Sequence, residues 1–395
     1  MNPVLALALV LVAGLAATRL PLPHLRRSLS LDLALAAGAP LLLAGVALGP
    51  GLGVLDHATL GALVPVTALG IGWIGAVFGA RLEWRVLRRI PRDTWGLAAL
   101  QGGAVLVLTV LTARLLTRVA PALAPVWRPT VPALLTLGGA AMVAGPGAVA
   151  LVARALRVPT ARARALDRAA LLDTVFGALV FAFALGLSQP HRSFAGVALG
   201  WVHWIAVAVA ASGGAGVLFL WLSRLRGDGD PSALGLDLLA VVLLGAGMGY
   251  AADVSPFVVC ALSMALIVNL SPLRRRLQGL LISWEPSVHA AFLVVTGALL
   301  DLPTWWLVPA ALVLGLVRVV TRWAVMRYGR ARLALATVAQ GSVPLALAVS
   351  FNLIYAGSGG SLLTTVLLGV VLAQAIAAPV MARALALRRA PSEVS

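Results

Sequence analysis

The chain contains no lysine, one cysteine and only thirteen acidic residues among 395. The lone cysteine, Cys260, lies in an apolar run, which excludes an intramolecular disulfide and leaves a buried free thiol. Charged residues make up 11% of the chain and hydrophobic ones 61%, with a mean hydropathy of +1.01. A soluble domain carries roughly 25% charged and 45–50% apolar residues, so a solvated surface cannot be built from this composition. All 30 basic residues are arginines, and the formal net charge is +17. Such a charge would suit nucleic acid, but the arginines fall in the gaps between apolar runs and do not line one face. No nucleic-acid partner is therefore expected; the bilayer is.

A membrane helix needs about 20 apolar residues. By that measure the sequence predicts an all-α polytopic membrane protein of about thirteen transmembrane helices. They fall near 3–18, 32–50, 59–79, 95–113, 131–155, 166–188, 194–222, 233–251, 254–270, 286–301, 304–326, 332–354 and 361–385. The connections between them are too short for a regulatory or nucleotide-binding domain. The first run lacks the positive start of a signal peptide and is read as a retained helix.

The arginines alternate between rich and poor connections along the whole chain. Those at 19–27, 81–92, 154–168, 224–226, 274–276, 327–332 and 383–389 share one side, while Arg114, Arg118, Arg128 and Arg192 share the other. Retention of positive charge in the cytoplasm then puts the N-terminus outside and the C-terminus inside. A composition weighted towards Ala, Leu, Gly and Arg fits a GC-rich bacterial genome, and the expected location is the bacterial inner membrane. Trp84, Trp127, Trp284, Trp305 and Trp306 lie near span ends, where interfacial anchoring is expected.

A charge inside the bilayer costs at least about 2.5–3.5 kcal/mol, so each one needs a reason. Most acids, Glu285 included, fall in loops or near predicted helix ends, and Asp237 is one turn inside its span. Asp173 differs: in RALDRAALLDTVFGALVFAFALGLS it lies two turns in, among apolar residues. An intramembrane carboxylate either holds two helices together through an arginine or exchanges a proton or a cation. Arg318 is the matching basic residue, more than a turn from the loop arginines. Arg322, one turn on, is expected to snorkel to the interface.

Two spans carry helix-breaking residues at mid-depth. The fifth holds Ala144, Gly145, Pro146 and Gly147; the twelfth holds Gln340, Gly341, Ser342 and Pro344. Proline removes a backbone donor and glycine tolerates an unwound backbone. Two broken helices in corresponding halves mark transporters built from inverted repeats, whose half-helix ends meet at the substrate site. Other chemistries fare poorly. An aspartyl protease needs two membrane aspartates, and a metal site needs clustered ligands. His203 and His289 lie in different spans and are expected to be hydrogen-bonded packing residues. No enzyme activity, metal or cofactor is expected.

These residues resemble the monovalent cation:proton antiporter superfamily, the membrane domains like those of Na+/H+ exchangers. The likeness runs from about the second span to the twelfth. It is carried by LLLAGVALGPGLGVLD, LGIGWIGAVFGARLEWRVLRR, GMGYAADVSPFVVCALSMALIVNLSPLRRRL, SWEPSVHAAFLVVTGALLDL and VAQGSVPLALAVSFNL in that order. The resemblance implies two crossed discontinuous helices within a core domain of about 95–188 and 304–385. It implies a panel of about 3–79 and 233–301 that makes a homodimer, a linker helix of about 194–222, and elevator-like motion of core against panel. Asp173 matches the family's cation- or proton-binding aspartate, and Arg318 its basic residue before the second broken helix.

The chain also departs from that pattern. Leu172 stands where relatives commonly carry Asp, Asn or Gln, and Ala144-Gly145-Pro146 offers no side-chain oxygen where they carry Thr, Ser or Asp. With one carboxylate, a bound ion must recruit Thr174, backbone carbonyls or water. The expected function is secondary active exchange of Na+ or K+ for H+, electroneutral and centred on Asp173 and Thr174. The alternative is a non-transporting or regulatory protein on a degenerate antiporter scaffold.

Overall fold

The computed structural model describes residues 5–6, 8–12, 14, 38–188, 193–194, 197–198, 200–226, 231–328, 337–355 and 360–386. The first predicted span lies mostly outside these residues, as does the start of the twelfth; of the first, residues 5–6, 8–12 and 14 are helical. The remaining helices are α1 (Ala39–Val46, extended by a π turn to Gly51), α2 (His57–Ala62), α3 (Val64–Gly79), α4 (Trp84–Leu87), α5 (Arg92–Val119), α6 (Ala124–Trp127), α7 (Val131–Met142) and α8 (Pro146–Ala155). They continue with α9 (Thr160–Ser188), α10 (Trp201–Arg226), α11 (Pro231–Ala251), α12 (Pro256–Leu270), α13 (Arg274–Ala298), α14 (Leu307–Tyr328), α15 (Val343–Ile354) and α16 (Gly360–Ala386). Among the described residues seven helical segments are long and apolar enough to cross a membrane, and five shorter apolar helices accompany them. The protein is a multi-pass membrane protein.

Local chemistry sets several helix starts. Asp56 caps α2 by accepting from the Thr59 amide at 2.8 Å. Thr130 caps α7, and Ser255 caps α12 with Pro256 at its first position. Two boundaries differ most from the sequence expectation. Helix α13 begins at Arg274, about three turns before the expected start, and runs through Pro286. Leu277 and Leu281 are buried one turn apart, and Gln278 donates to the Ala80 carbonyl and to Glu83, so packing holds this stretch in a helix. Glu285 is therefore well inside a helix and not near its end. Helix α10 begins at Trp201, because Ser193–Phe194 and Val197–Ala198 pair as two short antiparallel strands.

The helices pack in two sets. One contains α1, α3, α11, α12 and α13, and the other α5, α7, α8, α9, α14, α15 and α16; α10 lies against α11, α12 and α9. Within the first set, small residues let backbones meet. A Cβ on Gly75 would stand 2.4 Å from the Phe257 carbonyl oxygen, and one on Gly79 2.1 Å from that of Ala261, so α3 and α12 touch main chain to main chain. The sets meet where α15 packs on α3 and α12, and there Ser350 donates to Ser255 at 2.8 Å.

Candidate ion site at the crossing of two interrupted helices

The helical path opened by α7 stops at Met142. Val143 to Gly145 are extended, and α8 resumes at Pro146. A second non-helical segment runs from Thr337 to Ser342, before α15; the residues that precede it in the predicted twelfth span lie outside the described residues. Pro146 and Pro344 lie in first helical turns, where the missing N–H costs nothing. The two extended segments cross, and the Gly145 amide donates to the Ala339 carbonyl at 3.1 Å. A Cβ on Gly145 would stand 2.4 Å from the Gly341 nitrogen, so only glycine fits there. Gly341 is roomier, with its nearest neighbour 3.6 Å from a built Cβ. Gly147 is exposed and Ser342 half-buried; neither contributes a side-chain hydrogen bond among those found at the crossing.

Breaking two helices in an apolar medium frees carbonyls that must find donors. Here five consecutive carbonyls are each matched to a side chain from another helix or from the second interruption. Gln340 Nε2 donates to Ala140 at 3.0 Å, Arg318 Nε to Ala141 at 2.8 Å and Arg322 Nη2 to Met142 at 2.8 Å. Arg318 Nη2 donates to Val143 at 3.0 Å, and the Thr174 hydroxyl to Ala144 at 2.7 Å. On the second segment, Arg322 Nη1 donates to the Thr337 carbonyl at 2.9 Å and Arg318 Nη1 to that of Val338 at 2.6 Å. The C-terminal end of α7 carries partial negative charge, and two guanidinium groups lie against it.

Asp173 lies beside this crossing, 1% exposed. Its Oδ2 accepts from Arg322 Nη1 at 3.0 Å and from Gln101 Nε2 at 2.9 Å, with the Thr337 hydroxyl at 3.5 Å. Gln101 also donates to the Thr337 hydroxyl at 3.2 Å, and Arg322 Nη1 bonds that hydroxyl closely as well. The ion pair between Asp173 and Arg322 is sealed from solvent on both sides. Arg322 therefore does not snorkel. The expected route to the interface fails because carbonyls of both interruptions and the carboxylate all face inward and hold its guanidinium. A cavity of about 40 Å³ borders Arg318, Gln340, Thr109 and Thr365, room for a water molecule beside the crossing.

No protein-family model matches the chain, and no curated protein sequence matches it significantly. Among solved structures it is similar to the sodium proton antiporter MjNhaP1 from Methanocaldococcus jannaschii, determined at pH 8, with a TM-score of 0.68 over 98% of each chain and 17% identity. The chain has a sodium/proton antiporter fold. At that identity the likeness establishes architecture, while activity must be argued from the site.

Thus the structure brings Asp173, Thr174, Arg318, Ala144, Gly145 and Gln340 together at one crossing. Thr174 spends its hydroxyl hydrogen on the Ala144 and Ala170 carbonyls. Three members of the site went unread in the sequence: Arg322 as the ion-pair partner, Gln101 and Thr337. An amide in the middle of the apolar run LAALQGGAVLVL was the available signal for Gln101; Thr337 gave none. Elsewhere, Trp127 is buried and donates to Thr365 at 3.0 Å, so it is not an interfacial anchor, and Trp284 stacks on Trp73. Trp84, Trp305 and Trp306 are exposed. Asp237 is buried. His203 is exposed, and His289 Nδ1 is buried with no partner among the described residues; neither is the hydrogen-bonded packing histidine expected.

Proposed function

We propose that this protein is a secondary transporter that exchanges a monovalent cation, Na+ or K+, for a proton at Asp173. The supporting observation is the placement of a single buried carboxylate beside two crossed helix interruptions, in an antiporter fold. Three species compete for that carboxylate: a proton, the transported cation and the Arg322 guanidinium. When Asp173 is empty of the first two, Arg322 neutralises it, so the site is never a bare charge in a low-dielectric interior. An arriving cation displaces Arg322 from Oδ2 and takes Asp173, Thr337 and Gln101 as oxygen ligands after the amide turns over. A proton arriving from the other side releases it. One carboxylate carries one charge in each direction, so the exchange is one for one and electroneutral.

The cycle needs access from each side in turn. The two helix sets supply the two bodies: α5, α7–α9 and α14–α16 as a core that carries the crossing, and α1, α3 and α11–α13 as a panel that forms a homodimer. The core moves as an elevator against the panel, with α10 as the link, and the two interruptions belong to inverted repeats. The N-terminus is outside and the C-terminus inside a bacterial inner membrane.

One observation favours a second reading. The carbonyls from Ala140 to Ala144 are all engaged by protein donors, and the arginines outnumber the acids at the crossing. A site so fully served from within suits a scaffold that is locked and regulatory. The two readings separate in proteoliposomes loaded at acid pH. Exchange predicts that external Na+ or K+ drives proton efflux, at a rate unchanged when the membrane potential is clamped at zero. No efflux with any monovalent cation, from protein that stays folded, supports the locked scaffold.

A further inference from the structure

Between α9, α10 and α12 lies a cavity of about 400 Å³, within the range of small-molecule sites. Its walls come from α9, α10, α12 and the end of α3. They are apolar, built largely from residues such as Phe78, Leu185 and Phe257. Leu179, Phe183, Val209 and Leu262 also line it and are exposed on the protein's outer face, so the cavity opens sideways towards the bilayer. One wall residue breaks the apolar pattern. Trp204 is only 6% exposed, and its indole N–H is buried with no acceptor among the described residues. An unmet buried donor costs about 1–3 kcal/mol, so an occupant that brings an acceptor gains there beyond its apolar contacts.

We infer that this cavity is a binding site for one acyl chain of a membrane phospholipid, entered from the bilayer, with its ester carbonyl accepting from Trp204. The chain's methylenes fill the apolar part by close packing, since a chain drawn from the bilayer is already out of water. Helix α9 also carries Asp173, so an occupied cavity sets how closely α9 approaches α12. That last consequence rests on the exchange reading; the binding does not.

The test is photolabelling of the full protein in vesicles that contain phosphatidylethanolamine with a diazirine in its acyl chain. Labelled peptides are mapped by mass spectrometry. Expected are labels on 175–186, 204–209 and 253–262, lost in Ala182→Phe, which fills the cavity. Trp204→Phe keeps the shape and removes the donor, so labelling falls about fivefold, the loss of one hydrogen bond. Labels confined to outer faces such as that of Leu111, equal in wild type and both variants, overturn the proposal. So does labelling excluded from the groove because a second copy of the chain covers Leu179 and Val209. Neither readout depends on transport, so loss of the exchange reading leaves this result standing, and the reverse.

Discussion

Gly145 is the tightest residue of the crossing. A methyl group there meets the Gly341 backbone nitrogen at 2.4 Å, and neither extended segment can yield without breaking the bond from Gly145 to Ala339. Gly145→Ala is expected to destabilise the protein by about 1–3 kcal/mol, whereas Gly341→Ala, at ordinary contact distance, is near neutral. Thermal unfolding of the two variants in detergent checks the contrast. Arg322 gives a sharper case. Removing one member of a buried ion pair leaves the other uncompensated, so Arg322→Gln should cost about 3–5 kcal/mol. Arg322→Lys restores the charge but cannot reach Met142 and Thr337 together, and recovers only part of that loss. Asp173 stood out in the sequence because an acid among leucines and alanines has no bland explanation. Arg322 did not, because a position one turn nearer the loop is compatible with either interface or interior. Only the fold, which turns both interruptions towards it, decides between them.

At the scale of elements, the break in the fifth span and the restart of the twelfth were legible. Gly145-Pro146-Gly147 and Gly341-Ser342-Val343-Pro344 put helix starters and a crossing glycine within a few residues, and the helices do restart there. Helix ends governed by packing were not legible. The start of α13 at Arg274 depends on Leu277, Leu281 and Gln278 meeting neighbours that are distant in sequence. The same is true of Trp127, near a predicted span end yet buried and bonded to Thr365 on α16. The joint between α9 and the first interruption is also a product of the fold. Thr174 holds the Ala144 carbonyl at 2.7 Å, so Thr174→Val leaves that carbonyl unmet at a cost of about 1–3 kcal/mol. Thr174→Ser keeps the hydroxyl and is expected to unfold close to the wild-type temperature.

For the whole molecule, the order of spans and their apolar lengths made the polytopic class and the antiporter-like architecture readable before any coordinates. No local pattern says which spans pack together, so the core and panel were an implication of the resemblance and not a reading of the residues. Movement of one set against the other can be tested at their seam. Ser255 at the start of α12 and Ser350 on α15 have hydroxyl oxygens 2.8 Å apart. In a Cys260→Ala background, Ser255→Cys with Ser350→Cys should oxidise readily and stop exchange, and reduction should restore it; exchange that continues in the oxidised protein would argue against relative motion at that seam. The central claim is narrower: proton and cation pass through one carboxylate. Its most direct test is cation-driven proton efflux from liposomes holding the Asp173→Asn variant, compared with wild type at equal reconstitution. The account predicts efflux with wild type and none with the variant, while the variant remains folded. Efflux at the wild-type rate from Asp173→Asn would contradict it.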